Sequence, residues 1–186
     1  MLRIIAGRAK GRMLEAPPDQ KVRPTSGRVR EALFSMLVSR LDTFAALRVL
    51  DPFAGSGALG LEAWSRGAAQ VDFIEADPKV WRLLQANIQR LGASPHCTAH
   101  KGRSPGHLRN LHPPYHLVFL DPPYREDLLT LTLESLDHTR LLAPDAWILA
   151  EFASQLAPSI PKAFSVDVQR DYANTSVALL RLNHPT

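Results

Sequence analysis

From Leu47 onward, short apolar runs alternate with amphipathic segments, which is the pattern of a parallel sheet covered by helices. Strands are expected near 47–51, 71–75, 96–100, 116–121, 146–151, 163–169 and 176–182, giving an α/β fold. Helices fall between the earlier strands. The clearest are 57–67, carrying Leu59, Leu61, Ala63 and Trp64, and 78–91, where Val80, Leu83, Leu84, Asn87, Ile88 and Leu91 recur at helical spacing. Gly67 and Gly92 stand where C-terminal caps belong, and Pro78 suits a first turn. A further helix is expected over 126–138. The link Tyr172-Ala173-Asn174-Thr175 is too short for a crossover helix, so the last two strands should close the sheet as an antiparallel hairpin. Before Leu47, residues 1–12 read as a hairpin or loop and Pro17 to Pro24 as an extended linker. Ser26 to Leu41 reads as a helix with Ala32, Leu33, Leu37 and Leu41 on one face, capped by Thr25 or Ser26.

Charge divides this chain of 186 residues unevenly. Residues 1–40 hold nine basic and three acidic side chains, a net +6 against +4 for the whole, so the remainder is at −2. A basic arm on a slightly acidic body is the electrostatic footprint of a nucleic-acid binder, although a merely solvated basic surface would look the same in composition. Lys10, Arg12, Arg23, Arg28 and Arg30 are the candidate phosphate contacts; an Arg on a helix could equally pair with an acid such as Glu31. No apolar run approaches the roughly 20 residues of a membrane span, and the N-terminus lacks a signal-peptide core, so a cytoplasmic protein without membrane contact is expected. The single Cys97 can form neither an intrachain disulfide nor a thiolate cluster. His96, His100, His107, His112 and His116 crowd one stretch but fit no metal-ligand spacing, so no metal site is expected; they read as surface residues near an RNA-facing rim. Trp64, Trp81 and Trp147 read as packing residues.

Two motifs carry chemistry. Asp51-Pro52-Phe53-Ala54-Gly55-Ser56-Gly57-Ala58-Leu59-Gly60 follows the first strand and opens a helix, and its last six residues match G-x-G-x-x-G. Glu75 ends the next strand, where an acid can accept from ribose hydroxyls. Asp51 would oppose a pyrophosphate, but it suits S-adenosylmethionine, whose methionine end carries an ammonium. Capping of the loop's own N–H groups is its bland alternative. Phe53 either shields the methyl donor or anchors the loop, Gly55 and Gly57 permit close backbone approach, and Ala76 can pack on adenine. Adenine should also be read around Lys101 to Ser104, with Arg103 among the contacts.

The second motif, Asp121-Pro122-Pro123-Tyr124, follows the apolar run Leu117 to Leu120. The Asp121 carboxylate and the Pro122 carbonyl can accept the two hydrogens of a base's exocyclic amine, while Tyr124 stacks on the base. In an open α/β sheet ligands bind beyond the carboxyl ends of the strands at the switch point, here between the first and fourth, which would bring both motifs into one site.

Together with Arg3-Ile4-Ile5-Ala6-Gly7, Arg23-Pro24-Thr25 and Arg28-Val29-Arg30-Glu31-Ala32-Leu33-Phe34, these motifs make the chain resemble the RsmD family of small-subunit (16S) ribosomal RNA guanine-N2 methyltransferases along essentially its whole length. The resemblance implies a Rossmann-like class I methyltransferase sheet of seven strands, S-adenosylmethionine as donor, and methylation of a guanine amine in an assembling small ribosomal subunit; separately, a monomer is expected. Residues 1–42 would form a basic RNA-binding extension and 43–186 the methyltransferase domain. Where such proteins often carry an acid or amide after the third strand, this chain has Gly102-Arg103-Ser104, which points to adenine contact by backbone. The rival readings are a DNA adenine-N6 methyltransferase, for which only about sixty residues between the motifs leave no room for a large recognition insert; a non-catalytic RNA-binding assembly factor; and a nicotinamide dehydrogenase, disfavoured by Asp51.

Overall fold

The computed structural model describes residues 2–17, 27–112, 114–123 and 127–183, the side chain of Arg28 excepted. The expected linker 17–24, the caps Thr25 and Ser26, and Tyr124 and Arg23 therefore lie outside the described residues, Pro17 apart. In chain order the elements are α1 (Gly27–Val38), β1 (Arg48–Asp51), α2 (Ala58–Ser65), β2 (Gln70–Glu75), α3 (Pro78–Leu91), β3 (Cys97–Lys101), a 3-10 turn (Leu108–Asn110), β4 (Tyr115–Leu120), α4 (Leu128–Thr139), β5 (Leu142–Ala153), β6 (Phe164–Tyr172) and β7 (Thr175–Leu182). The strands form one sheet in the order β3-β2-β1-β4-β5-β7-β6. β3 to β5 are parallel neighbours, and β7 and β6 complete the sheet antiparallel, as the short link between them requires.

The central strands read as unbroken apolar runs because both faces of the sheet are covered. Successive residues point to opposite faces. Val49, Leu117, Phe119, Trp147, Leu149, Val177 and Leu179 pack with α1, α2 and α3 on one side. Leu50, Val118, Leu120, Ile148, Ala150, Ala178 and Leu180 pack with α4 and the 3-10 turn on the other.

α3 has the bounds its sequence signals demand. Asp77 accepts from the backbone N–H of Lys79 at 2.7 Å and of Val80 at 3.1 Å, Pro78 fills the first turn, and Gly92 ends the helix at φ 72°. α2 is shorter than 57–67: Gly57 precedes it at φ 81°, Arg66 takes the C-cap, and Gly67 follows one residue later. Among the described residues no helix is long and apolar enough to cross a membrane.

The first residues form a hairpin. Arg3 bridges Met13, and the N–H groups of Ile4, Gly11 and Leu14 donate to the carbonyls of Arg12, Ile4 and Leu2. Buried polar side chains pin it to the body. Glu62 of α2 accepts from Ile5 N–H at 2.7 Å and Ala6 N–H at 3.0 Å, and Ser65 Oγ accepts from Ala9 N–H at 2.9 Å. Asn87 of α3 accepts from Glu15 N–H and donates to the carbonyls of Glu15 and Ser56. One buried amide thus ties the hairpin to the glycine loop.

Candidate active site

A cleft of about 810 Å³ opens beyond the carboxyl ends of the strands, and both sequence motifs line it. The reason is topological. β1 pairs β4 with Val49 beside Leu117 and Leu50 beside Val118, so Asp51 and Asp121 leave neighbouring strands at the same edge. Pro122 and Pro123 continue from Asp121 along the cleft wall, Pro122 buried and Pro123 exposed. Phe53 lines the cleft and also packs on the core cluster that includes α4, as expected of a loop anchor.

The glycine loop is locked before any ligand arrives. Ala54 N–H donates to the Ile74 carbonyl at 3.1 Å, Gly55 N–H to Glu75 Oε2 at 2.9 Å, and Gly60 N–H to Asp51 Oδ2 at 3.1 Å. Glu75 also accepts from Asp77 N–H at 2.7 Å, so this carboxylate holds the loop and the start of α3 together while lining the cleft. A Cβ on Gly57 would sit 2.5 Å from Leu84 Cδ1, and one on Gly60 2.3 Å from the Phe73 ring. Gly57 and Gly60 are therefore held to glycine by close packing against Leu84 and Phe73, Gly57 also by its positive φ.

Asp51 is 2% exposed. Burial pushes its carboxyl up to about 7; the bonds from Gly60 and Phe53 N–H work against this and the nearby Glu75 charge works with it. The capping role and a cofactor role are compatible, because one Asp51 oxygen accepts from Gly60 and an ionised carboxylate has further lone pairs.

Ala76 after β2 and Gly102, Arg103 and Ser104 after β3 line the cleft. Ser104 is 3% exposed, and its Oγ has no hydrogen-bond partner among the described residues. A buried hydroxyl left unsatisfied at a cleft wall invites a ligand atom. The Ser104 hydroxyl, the buried Asp51 and the glycine loop thus line one cleft.

The basic candidates separate. Lys10 and Arg12 are exposed, Arg12 donating to the Arg90 carbonyl at 2.8 Å. Arg30 is not on the outer surface. It is 3% exposed, donates to the Arg3 carbonyl, lines the cleft, and has an Nε with no hydrogen-bond partner among the described residues. Burial pulls its guanidinium below the usual range, against the favourable charge of Glu62. Arg28 sits on α1.

Of the five clustered histidines, His107 packs against Gly102 of this cleft, while three others lie elsewhere. His96, His100 and His112 line a smaller cleft at the amino ends of the strands, with Arg48, Asp72 and Tyr115. His100 Nε2 and Tyr115 Oη lie 2.9 and 2.8 Å from the two Asp72 oxygens. Among the described residues no three His, Cys, Asp or Glu side chains could together hold a metal. The Cys97 thiol is buried, which pushes it up to about 12. Trp64 and Trp147 are buried in the core, and Trp81 donates to the Ala99 carbonyl.

Comparison with known proteins agrees with this architecture. The family model described as Conserved hypothetical protein 95 matches residues 2–181. Ribosomal RNA small subunit methyltransferase D of Escherichia coli K12 is 38% identical over 166 residues, covering 89% of this chain and 82% of that protein. The solved structure of yhhF from Escherichia coli superposes with a TM-score of 0.86 at 35% identity, over 97% of each chain. A more distant structure, an RNA methyltransferase of Salinibacter ruber in complex with S-adenosyl-L-homocysteine, shares the fold at a TM-score of 0.63 and 15% identity, over 88% of this chain and 96% of that one.

Proposed function

The chain belongs to the RsmD family, matched by its family model over residues 2–181, and on that premise we propose that it methylates the exocyclic N2 amine of a guanine in small-subunit (16S) ribosomal RNA. One observation carries the reading: Asp51 ends β1, Asp121 directly follows the adjacent parallel β4, and both line one cleft. S-adenosylmethionine supplies, when bound, an electrophilic methyl group on a sulfonium sulfur. Asp51 faces its ammonium, Arg30 its carboxylate, Glu75 its ribose, and Ala76, Arg103 and Ser104 its adenine, while Phe53 excludes water and Gly55 and Gly57 shape the loop beneath.

Asp121 and Pro122 act on the other reactant. A base amine is a poor nucleophile because its lone pair is delocalised into the ring. With its two hydrogens held by the Asp121 carboxylate and the Pro122 carbonyl, the nitrogen is favoured in a pyramidal form with its lone pair aimed across the cleft. Tyr124 stacks on the flipped base. Such positioning can offset on the order of 7–11 kcal/mol of barrier, so the chain needs neither a metal nor a covalent enzyme intermediate. The methylated nitrogen then sheds one proton to Asp121 or water.

Residues 1–42 serve as the RNA-binding extension, with Lys10, Arg12, Arg23 and Arg28 on phosphates, and 43–186 as the transfer domain. The enzyme works as a cytoplasmic monomer on an assembling small subunit. The test is labelled methyl transfer to small subunits from a strain lacking the protein, followed by digestion and mapping. Label in N2-methylguanosine at one position supports the reading; label in N6-methyladenosine, or none despite RNA binding, overturns it.

Two further results are expected. Because Asp51 ionises near neutrality and its carboxylate is the form that pairs with an ammonium, donor affinity should rise as pH rises through about 7. Asp51→Asn should flatten that rise, which titration calorimetry between about pH 6 and 8 would show. The free protein should run the other way: a carboxyl raised by folding is held protonated in the native state, so stability falls as pH climbs from the ordinary carboxylate range to about 7. Replacing Lys10 and Arg12 together by Ala should weaken RNA binding and lower the slope of log affinity against log salt by about 2, measured by filter binding.

A further inference from the structure

Asp121 and Pro122 alone do not choose between purines, because adenine N6 and guanine N2 each offer two hydrogens to two acceptors. What separates the bases lies one ring atom away. Beside its N2 amine, guanine carries N1–H, a donor; beside its N6 amine, adenine carries a bare N1 lone pair.

Glu151 stands where that difference can be read. The β4–β5 ladder pairs Leu120 with Ala150, so the next positions, Asp121 and Glu151, fall side by side at the carboxyl ends of adjacent parallel strands. Neighbouring positions of this kind share a face and lie about 4.8 Å apart. Glu151 is 5% exposed and lines the same cleft as Asp121 and Pro122. Its strand neighbours Ile148, Leu149, Ala150 and Phe152 are all apolar, as burial at this depth favours, so a carboxylate at 151 calls for a polar purpose. Glu151 already interacts with another group of the protein, but a carboxylate offers about four acceptor sites, which leaves capacity for an incoming N–H.

We infer that Glu151 accepts the N1–H of the flipped guanine and so makes the cleft select guanine over adenine. The inference rests on the amine-methylation reading above and gives it a base. An adenine in the same pose would set its N1 lone pair against the carboxylate, a repulsion that works as selection by exclusion.

The test uses RNA in which the mapped target guanosine is replaced by 2-aminopurine, which keeps the amine but has a bare N1 and no O6. Wild-type enzyme should prefer guanosine by about ten- to hundredfold in kcat/KM. Glu151→Gln keeps the shape, and its amide can turn to donate to a bare N1, so the preference should shrink by about tenfold. Glu151→Ala should shrink it similarly, and in both variants the donor dissociation constant should stay at its wild-type value. The comparison is a ratio within each variant, so partial loss of folded protein cancels. An undiminished preference in Glu151→Gln overturns the inference. Failure of the underlying reading looks different: wild-type enzyme would then form no N2-methylguanosine at all.

Discussion

Asp121→Ala should lower the methyl-transfer rate by about 10²–10³, equivalent to about 2.7–4 kcal/mol, the scale for losing one polar contact made to a transition state. The magnitude follows from where the side chain stands. Asp121 directly follows β4, one strand from the Asp51 that closes β1, and is half-buried at the cleft wall. On the proposed mechanism the truncation removes an acceptor whose hydrogen bond strengthens as the amine pyramidalises, so the loss should fall on the chemical step and leave ground-state binding alone. Single-turnover rates at saturating donor and RNA isolate that step, and the two dissociation constants should match wild type. Asp121→Asn keeps one carbonyl oxygen and should lose less. An unchanged rate in the Ala variant with tight RNA binding would remove Asp121 from the reaction.

The parts of this site that were legible from sequence are those whose signals are local. α3 could be bounded to the residue because Asp77, Pro78 and Gly92 sit beside the helix they start and stop. The glycine loop and the Asp121 segment were legible because each directly follows an apolar run, and the switch point follows from strand order. β5 and β6 extend beyond the expected 146–151 and 163–169 for a non-local reason. β5 begins at Leu142, which pairs with Tyr115 across an irregularity before the apolar run resumes. β6 is an edge strand, Ser165 to Asp171 mostly exposed and rich in charge, and it is held in the sheet by pairing with β7. Arg30 read as a surface cation because a helix pattern alone does not show which basic residue the hairpin will cover. Glu62 and Glu151 gave no signal: each is a single acid in an apolar segment, and besides Arg66 one turn on, the groups that meet Glu62 are backbone N–H groups more than fifty residues away.

That hidden acid should carry the largest stability effect in the chain. Glu62 is 0% exposed, and its two oxygens take the N–H groups of Ile5 and Ala6 and the Arg66 guanidinium at 2.8 Å. Glu62→Ala would leave two backbone donors unpaired beneath the hairpin, strand Arg66 at 16% side-chain exposure, and remove the charge that favours the buried Arg30 cation. Breaking a buried ion pair from one side costs about 3–5 kcal/mol, so the melting temperature should fall by on the order of 10 °C. Glu62→Gln preserves one acceptor oxygen and the side chain's volume, and should fall between the two. The hairpin should loosen first, since Ile5 and Ala6 lose the carboxylate that takes their N–H groups while the sheet keeps its ladders. Amide exchange at residues 2–14 should therefore accelerate more than at β1 or β4. Because the Arg3 carbonyl accepts from Arg30 at the cleft wall, the same variant should also bind the methyl donor less tightly. A melting temperature within about 2 °C of wild type, or exchange that rises evenly across hairpin and sheet, would show that Glu62 does not clamp the arm to the catalytic body.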